Sequence, residues 1–139
     1  AAIGLVQMKR YPSMLQRRKE IIEQYDAALS KEGIEVLNHY DSDHRSSGHL
    51  YITRIPNISL EQRQAIIEQM AECGIATNVH YKPLPMMTAY KQLGFDIADY
   101  PNAYSLFENE VTLPLNTRMS DEDVEYVIDN FASVIKALY

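Results

Sequence analysis

The sequence holds one cysteine in 139 residues, which excludes an internal disulfide and suits a cytosolic setting. That residue, Cys73, stands directly before Gly74 and reads as a packed structural thiol at a helix end. Long apolar runs are missing as well. Nothing approaches the roughly 20 residues that span a bilayer, and no basic segment leads into an apolar one at the start, so neither a membrane protein nor a secreted one is expected. Positive charge is not in excess: the formal net charge is −6, with no block of like charges, which argues against a nucleic-acid partner. The five glycines are scattered, leaving no GxGxxG fingerprint and no phosphate loop, and no G-x-S-x-G elbow is present. His39, Asp41, Asp43 and His44 crowd one polar loop, yet without paired cysteines or two histidines spaced along a helix a metal site is not expected there.

What remains is an ordinary globular composition, 46% hydrophobic, sufficient for one domain that buries roughly two-thirds of its unfolded surface. The chain opens without Met, and an apolar pattern is already under way at Ile3, Leu5 and Val6. Such an opening is expected of a piece of something longer, with an upstream domain as the partner of its first helix. Leu15, Ile21, Ile22, Tyr25, Ala28 and Leu29 continue a helical stripe, Arg17 to Glu20 mark a polar face, and Gly33 stops the run. Pro12 is expected to kink or delimit this helix.

Beyond Gly33, Ile34 to Leu37 suit a short strand, and the polar stretch from His39 to Gly48 suits a loop. His49 to Ile55, HLYITRI, is the clearest strand. Ser59 with Gln62 forms a capping box before a helix whose inward stripe is Leu60, Ile66, Ile67 and Met70, ending at Gly74. A short helical turn is expected over Thr88 to Leu93, a helix with Pro101 in its first turn, and an apolar crossing at Val111 to Leu115. Ser120 opens the last helix, with Asp121, Glu122 and Asp123 against the positive end of its dipole and Val124, Val127, Ile128, Phe131, Val134, Ile135 and Leu138 inward. Short strands interleaved with helices define an α+β fold, a two-layer α/β domain with a short sheet packed against helices.

The segment with most chemistry is GIATNVHYKPLP, Gly74 to Pro85. Gly74 ends a helix, Ala76 to Val79 suit a short strand, and Pro83 and Pro85 push Lys82 and Leu84 toward extended conformations. His80, Tyr81 and Lys82 are thereby held at one strand end, where an imidazole, a phenol and an ammonium suit an anionic, hydroxyl-rich ligand. A solvent-facing lysine beside two rings that cap a small core has the same sequence, so the residues alone leave both readings open.

Taken together, AAIGLVQMKR, HLYITRI, GIATNVHYKPLP, TAYKQLGFDIADYPNAYSLFENEVTLPL and MSDEDVEYVIDNF resemble the carboxy-terminal small domain of the DegT/DnrJ/EryC1/StrS aminotransferases. These are fold-type I pyridoxal-phosphate enzymes that mostly aminate nucleotide-linked keto-sugars. The resemblance implies a single small domain over residues 1–139, with 1–31 as the linking helix from an absent amino-terminal, cofactor-binding domain. It implies a parent aminotransferase that works by ping-pong exchange with glutamate as donor and a nucleotide-sugar as substrate, cytoplasmic and homodimeric. The family's Schiff-base lysine has no counterpart among Lys9, Lys19, Lys31, Lys82, Lys91 and Lys136, so this piece alone is expected to be inactive, to bind no cofactor, and to be free to exist as a monomer.

By the same resemblance His80 and Tyr81, with Lys82 beside them, become substrate-side residues, and His49 matches a histidine at the start of the family's central strand. A hydrogen-bonded core imidazole is the competing reading of His49. Gly48 stands where many relatives carry a bulkier residue, which bears on the cleft beside it. Some members of the family dehydrate sugars or regulate transcription rather than aminate, and a noncatalytic interaction module is a further alternative.

Overall fold

The structure is a computed structural model that describes residues 2–138; Ala1 and Tyr139, the two ends of the expected domain, lie outside the described residues. Its elements follow the order α1 (Ala2–Leu29), β1 (Glu35–Val36), β2 (Tyr51–Arg54), α2 (Leu60–Glu72), α3 (Thr88–Gln92), α4 (Pro101–Glu108), β3 (Glu110–Leu113) and α5 (Asp121–Leu138), with single 3-10 turns at Ser30–Glu32, Leu84–Met86 and Ile97–Asp99. The strands form one antiparallel sheet in the order β1-β2-β3. The α+β architecture expected from the sequence is therefore the one observed. Among the described residues, no helix is long and apolar enough to cross a membrane.

Side chains alternate along β2, so its two faces differ. Tyr51 and Thr53 are buried toward the helices and Ile52 and Arg54 are half-buried on the opposite face. The helical side holds the core: Ile21, Ile22, Tyr25 and Leu29 of α1, Ile66 and Met70 of α2, Val111 of β3, and Val124 and Phe131 of α5 close around Tyr51. The Tyr25 and Tyr51 rings lie 4.7 Å apart. Their hydroxyls are both satisfied, Tyr25 donating to the Pro114 carbonyl at 2.8 Å and Tyr51 to Asp26 Oδ1 at 2.7 Å. Burial, followed by the Asp26 carboxylate, pushes the Tyr51 phenol far above its ordinary range, so both groups donate at any physiological pH.

The caps follow the sequence. Ser59 Oγ accepts from the Gln62 N–H while Gln62 Oε1 accepts from the Ser59 N–H, and Ser120 and Asp123 exchange the same pair of bonds at the start of α5. Arg17 does more than mark a polar face. It donates to Asp121 Oδ1 at 2.8 Å and to the Met119 carbonyl at 2.7 Å, fastening the middle of α1 to the first turn of α5.

Several expectations are corrected. Pro12 sits inside α1 and does not delimit it; residues 2–13 are exposed, so the Met8 carbonyl that loses its partner to proline can turn to water. Ala76–Val79 does not form a strand. Asn78 alone pairs with Thr112, because the Asn78 side chain takes the Val79 N–H and the Glu110 side chain takes the His80 N–H, diverting both donors from the ladder. Leu84 opens a 3-10 turn rather than an extended segment. Gly48 has φ 59° and lies beneath α1, where a Cβ would stand 3.0 Å from Ile22 Cδ1 and 3.1 Å from Arg18 Cβ; its size serves that close approach.

The polar loop also divides differently from its sequence pattern. His44 contacts Asp41 at 2.7 Å and the Asn38 carbonyl at 3.0 Å. His39 turns inward, 6% exposed, and stacks on Tyr51 with 5.8 Å between centroids. Desolvation lowers the His39 pKa from its ordinary 6.5, against the Asp26 charge and with that of His44. The unfolded chain thus takes up a proton near neutrality that the folded chain refuses, so this contribution to stability is complete above about pH 6.5 and declines as pH falls below it.

Two outcomes are expected from urea unfolding. Phe131→Ala, which empties a fully buried site, lowers stability by about 3–5 kcal/mol. His39→Phe keeps the stack on Tyr51 and reduces the loss of stability between about pH 7.5 and about pH 5.5 that the unmodified chain shows.

Candidate functional site

The face of the sheet turned away from the core carries a groove of about 370 Å³, lined mainly by apolar side chains that include Leu37, Ile52, Leu106 and Phe107, with His80 and Tyr81 on its wall. Antiparallel pairing builds its floor. Ile52 lies opposite Thr112 and Arg54 opposite Glu110, and directly paired residues share a face. α4 supplies a second wall through Ala103, Leu106 and Phe107.

Glu110 is the centre of the polar chemistry. The residue is 4% exposed, and its carboxylate accepts the His80 backbone N–H with both oxygens, each at 3.0 Å. The Thr112 hydroxyl donates to Oε1 at 2.7 Å and meets His80 Nδ1 at 2.9 Å. The backbone of Asn78 is bonded to that of Thr112 in both directions, so the segment entering the HYK sequence is docked on β3 by main chain and side chain together. The His80–Tyr81 peptide is cis, and the two rings meet edge to face at 4.7 Å.

Two arginines complete the surroundings. Arg63 of α2 is buried over the Phe107 ring at 4.6 Å and donates to the Phe107 carbonyl at 3.4 Å. Burial lowers its pKa, and the Glu110 charge acts in the opposite direction. Arg54 reaches Asn109 Oδ1 at 3.2 Å and Glu35 at 3.2 Å, so its charge is already shared within the chain.

The sequence-predicted residues are distributed unequally. His80 is half-buried and anchored, while Tyr81 is 71% exposed and projects from the same wall. Lys82 is exposed and off the groove wall. His49 is exposed ahead of β2 and also off that wall; the core imidazole expected as its alternative is not formed. Glu110, Thr112 and Arg63 were missed. Thr112 lay in the stretch read as an apolar crossing and Glu110 directly ahead of it, although their spacing of two residues in a strand puts both on one face and was a usable signal. Nothing in the periodicity of α2 marked Arg63 as buried.

Residues 1–132 match the model of the DegT/DnrJ/EryC1/StrS aminotransferase family. The chain belongs to this family. It is 33% identical over 139 residues to the spore coat polysaccharide biosynthesis protein SpsC of Bacillus subtilis, covering 98% of this chain and 36% of that one. It is 31% identical to a UDP-4-amino-4,6-dideoxy-N-acetyl-beta-L-altrosamine transaminase of Campylobacter jejuni, covering 97% and 36%. Among solved structures, Spr1654 of Streptococcus pneumoniae, provisionally named a sugar aminotransferase, superposes in its PLP form with a TM-score of 0.95 at 54% identity, covering 98% of this chain and 35% of that one. The same protein has been solved in a PMP form, so the family binds pyridoxal phosphate. This chain spans about a third of the length of the relatives it matches.

That cofactor needs an amine to link to and donors for its phosphate. No lysine lines the groove, Arg54 is engaged elsewhere, and the Glu110 carboxylate is occupied by His80 and Thr112. The groove lining does not compose a cradle for pyridoxal phosphate; its wall presents an imidazole and a phenol.

Glu110→Ala leaves the His80 N–H and the Thr112 hydroxyl without their acceptor, at a cost of about 1–3 kcal/mol for each donor that stays buried. Hydrogen exchange is expected to quicken at the His80 amide, with the amides of α1 and α5 unchanged relative to global unfolding.

Proposed function

We propose that this chain is the small carboxy-terminal domain of a pyridoxal-phosphate-dependent aminotransferase that aminates a nucleotide-linked keto-sugar, with glutamate as the amino donor. Residues 1–31 form the link from a cofactor-binding domain upstream, and the groove face closes one side of the active site. Within that site the pyridoxal phosphate of the larger domain supplies the amino-group exchange. His80 and Tyr81 are the substrate-side groups of this wall, with Lys82 and His49 at its margin. The longer enzyme is a cytoplasmic homodimer.

One observation carries this reading: in a chain of this family, the His80–Tyr81 pair is locked onto the buried Glu110 and Thr112 of β3 while the Tyr81 ring projects from a groove wall. A surface pair that merely capped a core would not require a buried carboxylate to hold its backbone. The exposed Tyr81 ring can lie against a bound sugar, with His80 anchored behind it. An apolar groove with a few directed polar groups suits an organic ligand of moderate size.

The test is the visible absorbance of the longest protein encoded by the reading frame that contains this chain, with pyridoxal phosphate, before and after glutamate is added. A cofactor band that glutamate converts to the pyridoxamine phosphate form is expected. A cofactor band that glutamate leaves unchanged favours a sugar dehydratase, and no band at all removes the enzyme reading in favour of an interaction module. In the active protein, Tyr81→Ala is expected to raise KM for the nucleotide-sugar about tenfold, as for a lost contact of about 1.4 kcal/mol.

A further inference from the structure

A hydroxyl has one proton to give and two lone pairs with which to accept. The Thr112 hydroxyl lies 2.7 Å from Glu110 Oε1, and Glu110 also accepts the His80 backbone N–H with both oxygens. A buried group whose two oxygens share one N–H while one of them also takes a hydroxyl proton is a carboxylate, which has no proton to offer in return. The single Thr112 proton is therefore committed to Glu110. At 2.9 Å from His80 Nδ1, the Thr112 oxygen can act only as acceptor, and Nδ1 must carry a hydrogen.

The opposite ring nitrogen is in a different situation. His80 is half-buried and lines the groove, its Nε2 makes no hydrogen bond among the described residues, and it is not among their buried, unpartnered side-chain atoms, so it is accessible. In a neutral imidazole, a hydrogen on Nδ1 leaves Nε2 as a lone pair. We infer that Thr112 and Glu110 are positioning residues that hold His80 in the Nδ1–H tautomer, so that Nε2 is presented at the groove wall as an acceptor for an O–H or N–H donor of an uncharged part of the ligand.

The chemical class follows from the direction of the bond. A sugar hydroxyl or amide N–H satisfies Nε2, whereas a fully ionised phosphate oxygen brings a lone pair to a lone pair. The phosphates of a nucleotide-linked ligand thus lie away from His80, and the sugar lies against it. Assigning the acceptor to a sugar rests on the reading of His80 as a substrate-side residue; the tautomer does not. Of the anionic, hydroxyl-rich ligand that the sequence suggests, the histidine then meets the hydroxyl part.

The experiment is nitrogen-15 NMR of the full-length protein labelled at histidine, with the His80 ring assigned by the loss of its signals in His80→Gln. The expected pattern above neutral pH is a proton-bearing Nδ1 and a bare Nε2. Thr112→Val removes the acceptor at Nδ1 and shifts the tautomer ratio about tenfold toward Nε2–H, the size of one hydrogen bond, while Thr112→Ser restores the original pattern. Inorganic phosphate leaves the Nε2 signal unmoved. A proton found on Nε2 in the unmodified protein overturns the inference whatever the Thr112 variants do. A valine variant with the unmodified tautomer ratio, or protonation of Nε2 by inorganic phosphate, also overturns it. Because these signals do not depend on turnover, their failure is separable from failure of the aminotransferase reading, which the cofactor spectrum judges.

Discussion

A carboxylate withdrawn from water costs several kcal/mol unless its lone pairs are met and its charge is balanced. Glu110 is such a group, and the groove face of the domain is arranged around meeting that demand. The His80 N–H bridges its two oxygens, the Thr112 hydroxyl takes one of them, and the Arg63 charge acts on it from α2. Satisfying Glu110 requires residues 78–80 to dock on β3, and that docking places Tyr81 on the wall of the groove. The site is thus a consequence of a buried charge that the fold has to neutralise.

The sheet separates two tasks. On one face, Tyr51, Val111 and Leu113 meet α1, α2 and α5 in an apolar core whose polar atoms have partners such as Asp26 and the Pro114 carbonyl. On the other, the same strands expose Ile52 and line up Arg54, Glu110 and Thr112. Because β2 is only four residues long and central, a shift of one residue in its register would exchange core and groove residues. Arg17, which ties α1 to the start of α5, holds the helical layer together across the sequence, while the exposed first turns of α1 contribute nothing to that core.

Legibility differed by the kind of signal. Periodic helices with caps, α2 and α5, were readable because their apolar stripes and their Ser59 and Ser120 starts are local features. The strand at β2 was readable from its run of β-branched and aromatic residues. The Ala76–Val79 strand failed because side chains of Asn78 and Glu110 captured the backbone donors that a ladder needs, a competition that propensity does not register. His49 and His39 exchanged their expected settings: the histidine beside the clear strand is exposed, and the one in the polar loop is stacked inside on Tyr51.

By itself the sequence determined the α+β class, the caps and the family, and put His80 and Tyr81 forward as candidates, since each rests on neighbouring residues or on blocks that can be compared in order. Tertiary structure decided that Glu110, Thr112 and Arg63 belong with them, that Lys82 and His49 stand off the groove, and which way the hydrogen bonds run. The physical reason is sequence distance. Glu110 is 30 residues from the amide it holds and Thr112 is 32 from the imidazole, so their partnership exists only once β3 has paired with β2 and a carboxylate shut away from water has to find its donors across the fold.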